Sequence, residues 1–108
     1  MDGIELIAFR IISSVGSARS MYLLAIQEAK KGNFEKAKKM IEEGNKVFVE
    51  GHHAHAQIIQ KEAKNEQCDI NLLLVHAEDQ LMSAETIRLV AEEFIELYQF
   101  VLNLKATS

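Results

Sequence analysis

The segment Lys30-Lys31-Gly32-Asn33-Phe34-Glu35 separates two long stretches of the chain that have the apolar spacing of helices. Glycine after a helical stretch is typical of a helix end, because it adopts a left-handed backbone conformation without strain. Asparagine is suited to the position that caps the next helix. The segment therefore predicts one helix over about 4–31 and a second from 34 to about 65.

Outward from this turn, apolar residues recur with helical periodicity. On the N-terminal side they form one stripe: Ile4, Ile7, Ile11, Val15, Ala18, Tyr22, Ile26 and Ala29. The periodicity lapses near residues 65–69, where Asp69 or Asn71 is suited to cap a third helix over about 70–104. Short connections make successive helices antiparallel neighbours, so we expect an all-α fold with one domain, residues 1–108, as an up-down-up bundle of three long helices.

The composition favours long helices and disfavours several classes of protein. The 108 residues include no proline, whereas average usage would give roughly five. A lone Cys68 cannot form an internal disulfide, and a net charge of −4 disfavours general nucleic-acid binding, which needs a basic surface. We find no stretch with the apolar length of a membrane span and no secretory signal, so we expect a cytoplasmic protein.

The middle of the first helix is rich in small residues. Gly16 and four serines lie within residues 13–20, and these are weaker helix formers than alanine or leucine. One interpretation is a face against which another helix packs closely. The other is that small side chains leave room for a reacting group.

The third helix is apolar around most of its circumference. One face contains the following apolar residues: Leu72, Val90, Phe94, Leu97, Val101 and Leu104. The polar residues His76, Asp79 and Ser83 lie within that same face. A bundle of three helices leaves one side of this helix facing water, and another subunit is needed to cover it. We therefore predict a homo-oligomer in which third helices meet around an axis of cyclic symmetry.

Three of the four histidines, His52, His53 and His55, are clustered on the second helix. Their rings diverge around the helix, so we interpret them as surface or edge histidines rather than as a metal site. Lysines concentrate around the first turn at positions 30, 31, 36, 38 and 39, which is typical of a solvated helix end or of a docking site for an acidic partner.

His76 is the candidate reactive residue. Asp79 follows at i+3 on the same side of the helix, where a carboxylate can orient the imidazole or hold a cation. Gln80 at i+4 can hydrogen-bond the ring or a group attached to it. An imidazole that is largely neutral keeps a nucleophilic ring nitrogen, as a phosphoryl acceptor requires. The other interpretation of His76 is a core histidine with a structural role.

Motifs for other chemistry are missing from the sequence. There is no glycine-rich phosphate loop for direct use of ATP, no serine, histidine and acid set for hydrolysis, and no activating neighbour for Cys68. A nucleophile without its own nucleotide site suits a carrier that receives a phosphoryl group from one protein and gives it to another.

Four segments carry a resemblance that extends over nearly the whole chain. They are Ile11-Ile12 through Gly16-Ser17-Ala18-Arg19-Ser20, Gly32-Asn33-Phe34-Glu35-Lys36-Ala37, Ile58-Ile59-Gln60-Lys61-Glu62-Ala63 and Leu73-Leu74-Val75-His76-Ala77-Glu78-Asp79-Gln80-Leu81-Met82. In these segments the sequence resembles the lactose/cellobiose-type enzyme IIA of the bacterial phosphoenolpyruvate-dependent sugar phosphotransferase system. The last segment is the specific one.

The resemblance implies that His76 takes a phosphoryl group on Nε2 from the histidine-containing phosphocarrier protein. It passes the group to a cysteine of the cognate enzyme IIB, and thereby serves the membrane enzyme IIC in the uptake of a disaccharide such as cellobiose or lactose. It also implies a homotrimer of three-helix bundles, in which Asp79 from each chain binds one shared metal ion at the threefold axis. Oxygen-only ligation would suit Mg²⁺, one per trimer.

Two positions, Gln80 and Glu78, depart from the family pattern, and Asp79 has two interpretations. Gln80 stands where many relatives have a histidine, so it supplies a hydrogen-bonding group without a positive charge, and Glu78 stands where they have a glutamine. Asp79 either binds the shared metal ion or only orients His76.

Two other functions are alternatives to a phosphocarrier. A non-enzymatic helical adaptor would use His76 and Asp79 for specificity in an oligomer core and the lysine-rich turn for a partner. A metal-binding bundle is the weaker alternative, because the chain has none of the paired Glu-x-x-His motifs of diiron bundles.

Overall fold

The computed structural model describes residues 3–66 and 70–107, and within these residues the chain is helical with no strand. Helix α1 covers Gly3–Lys30, α2 covers Phe34–Ala63 and α3 covers Leu72–Thr107. The predicted ranges 4–31, 34–65 and 70–104 therefore identify the three helices, with ends that differ from the structure by at most three residues. Cys68 and Asp69 lie outside the described residues.

The first turn ends α1 as the sequence predicts. Gly32 has a positive φ of 85°, and the amide groups of Gly32 and Asn33 donate to the carbonyls of Ala29 and Glu28. This pair of hydrogen bonds is the Schellman arrangement that terminates a helix. Asn33 holds the N-cap position of α2 as the sequence predicts, and its carbonyl accepts from the Ala37 amide, but its side chain makes no capping hydrogen bond: Nδ2 donates to Glu28 Oε2 at 2.9 Å, back toward α1.

The second turn has the same hydrogen-bond pattern with asparagine in place of glycine. Asn65 has a φ of 60°, its amide donates to the Glu62 carbonyl, and the Glu66 amide donates to the Lys61 carbonyl. A left-handed residue cannot continue a helix. Helix α2 therefore ends at Ala63, two residues before the predicted end at 65.

The helices form an elongated bundle that measures 62 × 21 × 20 Å. Helix α1 packs along both other helices, whereas α2 and α3 contact each other little. One core cluster joins the first half of α1 and α3 to the second half of α2: Ile7, Ala8, Ile11, Val15, Ala54, Ile58, Leu74, Ala77, Leu81 and Ala84. The other joins the opposite halves: Ala18, Tyr22, Ala25, Ala29, Ala37, Ile41, Ala91 and Ile95. This pairing confirms the up-down-up order.

Close contact between α1 and α2 depends on glycines of α2 rather than on Gly16. A Cβ on Gly51 would lie 2.7 Å from Val15 Cγ1, and a Cβ on Gly44 would lie 2.7 Å from Tyr22 Cε1. Ser14 of the small-residue segment lies on this contact, 3.4 Å from the same Cβ position of Gly51, whereas a Cβ on Gly16 would meet nothing within 4 Å, so Gly16 itself is not a close-packing position within one chain. None of the described helices is long and apolar enough to cross a membrane.

Candidate functional site

The start of α3 is fixed by Asn71. Its side-chain Oδ1 accepts a 2.9 Å hydrogen bond from the Leu74 amide, and its carbonyl accepts one from the Val75 amide. This is the contact of an N-cap residue, which satisfies amide groups that otherwise have no helical partner. Of the two caps suggested by the sequence, Asn71 is confirmed as one, and it places His76 in the second turn of α3.

The core contacts of α3 determine where His76 points. Leu74, Ala77 and Leu81 are buried against the rest of the bundle. Because residues three and four apart share a helix face, His76 and Asp79 lie to the outside of this row, and both are exposed. Gln80 is partly buried. The structure therefore brings the three predicted site residues to one region of the α3 surface.

The exposed His76 ring has no bonded partner among residues 3–66 and 70–107. In the part of the chain that the structure describes, no side-chain hydrogen bond or ion pair is made by His76, Asp79 or Gln80. An imidazole without a protein partner keeps its ring nitrogens available to an external group. The His76 ring is thus accessible from outside the bundle.

A contact beside this region was not predicted from the sequence. His55 Nε2 on α2 lies 2.8 Å from Glu78 Oε2 on α3, while His52 and His53 are exposed as expected. The sequence signal for this contact is the histidine cluster on α2 together with a carboxylate on α3. Which histidine meets Glu78 depends on how the two helices are rotated against each other. Within the described residues of one chain, no group of three or more histidine, cysteine or carboxylate side chains is placed to hold a metal ion.

An apolar surface extends from the site toward the end of α3. Leu72 next to the site is 83% exposed and Leu97 is 51% exposed. The other exposed residues of this surface are Val90, Phe94, Val101 and Leu104. We call these six residues the outer face of α3. They are the residues that the sequence placed on one face with His76 and Asp79, and that face points away from the core.

The groove between α2 and α3 contains an open pocket of about 300 Å³. It is lined by Asn45, Phe48, Val49, His52, Glu85 and Arg88. The Phe48 and His52 rings stack with centroids 6.4 Å apart. None of the residues predicted for the site lines this pocket, and His76 and Asp79 are exposed on the surface of α3.

Comparison with known proteins identifies the family of this chain. Residues 6–99 match the family model described as the PTS system lactose/cellobiose-specific IIA subunit. The lichenan-specific phosphotransferase enzyme IIA component of Bacillus subtilis (strain 168) is 38% identical over 107 residues, which is 99% of this chain and 97% of that protein.

Two solved structures have the same fold. The crystal structure of the PTS cellobiose-specific enzyme IIA from Bacillus anthracis superposes with a TM-score of 0.91 at 38% identity, covering 100% of this chain and 96% of that one. The solution structure of the IIA(chitobiose)–HPr complex of the Escherichia coli phosphotransferase system gives a TM-score of 0.79 at 30% identity, covering 94% of this chain and 98% of that one.

Proposed function

The chain belongs to the family of lactose/cellobiose-specific IIA subunits of the PTS sugar transport system, and on this premise we propose that it is a phosphocarrier whose acceptor is His76. The donor is the histidine-containing phosphocarrier protein HPr. The recipient is a cysteine of the cognate enzyme IIB, which serves the membrane enzyme IIC in taking up a disaccharide such as cellobiose or lactose. We place the carrier in the cytoplasm with these partners.

The observation that carries the proposal is the exposed His76 on the second turn of α3, which has no bonded partner in the described part of the chain and lies on an open protein surface. A carrier between two proteins needs a nucleophile that both partners can reach. The chitobiose relative forms a complex with HPr, which supports HPr as a partner of this chain as well.

The transfer is an in-line exchange at phosphorus. The lone pair on His76 Nε2 forms a new P–N bond as the P–N bond to the donor histidine breaks, and the electron pair of that bond returns to the donor ring. In the second transfer a thiolate of enzyme IIB forms an S–P bond, the P–N bond breaks, and its electron pair returns to Nε2. The contribution of the protein is to position the ring, since the phosphoryl group arrives already activated.

We further propose that the protein is a homotrimer in which the outer faces of α3 meet around a threefold axis. Large side chains such as Leu97 and Phe94 lose their contact with water in such an assembly, and burial of apolar area is favourable. A contiguous exposed apolar surface on a water-soluble bundle marks an interaction site. His76 would then lie near the boundary between subunits.

Asp79 suits a shared cation in this assembly. Its carboxylate is exposed on the same side of α3 and has no bonded partner within the described protomer. Three such carboxylates at an axis repel one another unless a cation or protons intervene, and oxygen ligands suit Mg²⁺. We propose that Asp79 of each chain holds one Mg²⁺ per trimer, which would neutralise this charge. Gln80 would offer hydrogen bonds to the phosphoryl group without a positive charge.

Intact-mass measurement tests the assignment. The protein is incubated with phosphoenolpyruvate and the general components of the system, and we expect a gain of about 80 Da that is lost in acid, as phosphohistidine requires. His76→Ala should keep the fold and gain nothing, whereas the control His53→Ala should gain mass like the wild type. A His76→Ala protein that gains the same mass at the same rate would refute His76 as the acceptor.

A further inference from the structure

The contact between His55 and Glu78 joins two helices that otherwise meet little. His55 Nε2 and Glu78 Oε2 are 2.8 Å apart, and the two side chains are 21% and 39% exposed. At this distance a proton on Nε2, in the neutral ring as well as in the imidazolium, can be donated to the carboxylate. Because α2 and α3 both pack mainly on α1, this bond is a direct link between them beside the second turn of α3.

Glu78 lies two residues after His76 on the same helix. Successive side chains turn by about 100°, so Glu78 points about 200° away from His76, roughly 3 Å further along the axis. The Glu78 side chain is directed toward α2, where His55 receives it, while His76 faces outward. The helical period directs Glu78 to this side, and the contact with His55 holds its flexible carboxylate there, opposite to the reactive ring.

Negative charges along this part of α3 make the contact between His55 and Glu78 relevant to a phosphoryl group on His76. Between Lys64 and Arg88 the sequence has no lysine or arginine, while Glu78 and Asp79 are adjacent carboxylates. A phosphoryl group on His76 brings about two further negative charges. Like charges within several ångströms repel, and the repulsion is larger when a carboxylate is free to approach. Residues 65–87 thus supply no lysine or arginine of their own to offset that charge, and the Mg²⁺ proposed above would offset the charge of Asp79 rather than that of Glu78.

We infer that His55 is a positioning residue for phosphoryl transfer: by binding Glu78 it holds this carboxylate on the α2 side and offsets its charge. The inference rests on the proposed function of His76. It assigns a role in the transfer to a side chain of a different helix that does not touch the phosphoryl group.

Three variants separate this role from simple packing. His55→Ala frees the Glu78 carboxylate, and we expect phosphoryl acceptance from phosphorylated HPr to slow about two- to fivefold at low salt and less at high salt. Glu78→Gln, which removes the charge and keeps the size, should match or exceed the wild-type rate. The double variant His55→Ala/Glu78→Gln should return to the wild-type rate, although it has the same gap at position 55.

The rates are followed by intact mass at about 0.02 M and about 0.5 M salt, with thermal unfolding as the check of folding. A wild-type rate for His55→Ala overturns the inference. So does a double variant as slow as His55→Ala at both salt concentrations, because that result would indicate loss of packing. If folded wild-type protein accepts no phosphoryl group from HPr, the proposed function itself fails and the role of His55 fails with it.

Discussion

The Tyr22 ring lies directly against the backbone of Gly44, so that a Cβ at position 44 would be 2.7 Å from Cε1 and 3.1 Å from Cδ1 of the ring. Tyr22 is fully buried, and its hydroxyl donates a 2.7 Å hydrogen bond to Asn45 Oδ1. Two consecutive residues of α2 therefore contact Tyr22: Gly44 packs against the ring and Asn45 accepts the hydrogen bond from its hydroxyl. Glycine at 44 is what allows α1 and α2 to pack closely around it.

Gly44→Ala is expected to destabilise the protein by about 1–3 kcal/mol, because the buried ring has to shift to make room for the methyl group. Gly16→Ala is the matched control. Its methyl group would meet nothing within 4 Å, so the better helix propensity of alanine should stabilise the protein by about 0.5–1 kcal/mol. Chemical denaturation of both variants gives the comparison. Equal changes of the same sign in the free energy of unfolding of the two variants would contradict the packing of Tyr22 against Gly44.

Tyr22→Phe tests the buried hydroxyl through pH. Burial raises the pKa of the Tyr22 hydroxyl above its ordinary value of 10.0, the charge of Arg88 lowers it and that of Glu92 raises it. The folded protein thus holds this proton more tightly than the unfolded chain. The resulting stability is fully present below about pH 10 and is lost as the pH rises through the folded-state pKa.

We therefore expect Tyr22→Phe to lose about 1 kcal/mol at neutral pH, where Asn45 is left without its donor, and to lose less stability than the wild type above about pH 10. Free energies of unfolding at the two pH values provide the measurement. Lysines titrate alike in both proteins, so only a difference between the two profiles reports on Tyr22. Parallel profiles would contradict the raised pKa.

The turns show which parts of the fold are readable from the sequence. Gly32 is identifiable because the tolerance of a positive φ is a property of glycine itself. The hydrogen bond of the Asn33 side chain is not identifiable, since this side chain can accept from the first amides of α2 or donate to Glu28, and here its Nδ2 donates to the Glu28 carboxylate. Glu28 is also held by Lys31 and Lys36, and the hydrogen bond from Asn33 together with these cations lowers the pKa of its carboxyl. Such competition is decided in three dimensions.

The site was predictable to a similar degree. The place of His76 on the outer side of α3 follows from the helical period, because Leu74, Ala77 and Leu81 fix the inner side. The contact between His55 and Glu78 cannot be predicted from the helical period, since it depends on the rotation of α2 against α3. Periodicity describes one helix at a time, and contacts between helices need the packing of all three.

Leu97→Glu is expected to convert the proposed trimer into monomers. The side chain is 51% exposed on the outer face of α3, and a carboxylate there would be buried without a partner in the assembly. The molecular mass measured by sedimentation or light scattering should then fall from three times the chain mass of 12.2 kDa to the mass of one chain, with helicity retained.

The control for this variant is Ile59→Glu on α2, because Ile59 is also 51% exposed but does not belong to the outer face of α3. It should leave the mass of the assembly unchanged. If both variants dissociate alike, or if Leu97→Glu keeps the wild-type mass, the outer face of α3 is not the subunit interface.

Asp79→Leu probes the proposed axial carboxylates. Three like charges are replaced by apolar side chains, so we expect the assembly to remain intact or to become more resistant to dilution. Mg²⁺ binding, measured by titration calorimetry, should be abolished because the oxygen ligands are gone. Glu78→Gln serves as the control, since it removes a neighbouring carboxylate that faces α2 and should leave Mg²⁺ binding in place.

The direction of the change in assembly distinguishes two roles for the carboxylates. If the apolar outer face of α3 supplies the association energy, Asp79→Leu adds to that face, and the trimer persists without metal. If Asp79→Leu dissociates into monomers, the carboxylates and their cation hold the subunits together, and chelation of the metal should dissociate the wild type as well. A variant that stays trimeric and still binds Mg²⁺ with the wild-type stoichiometry would place the metal elsewhere and leave Asp79 as a neighbour of His76 only.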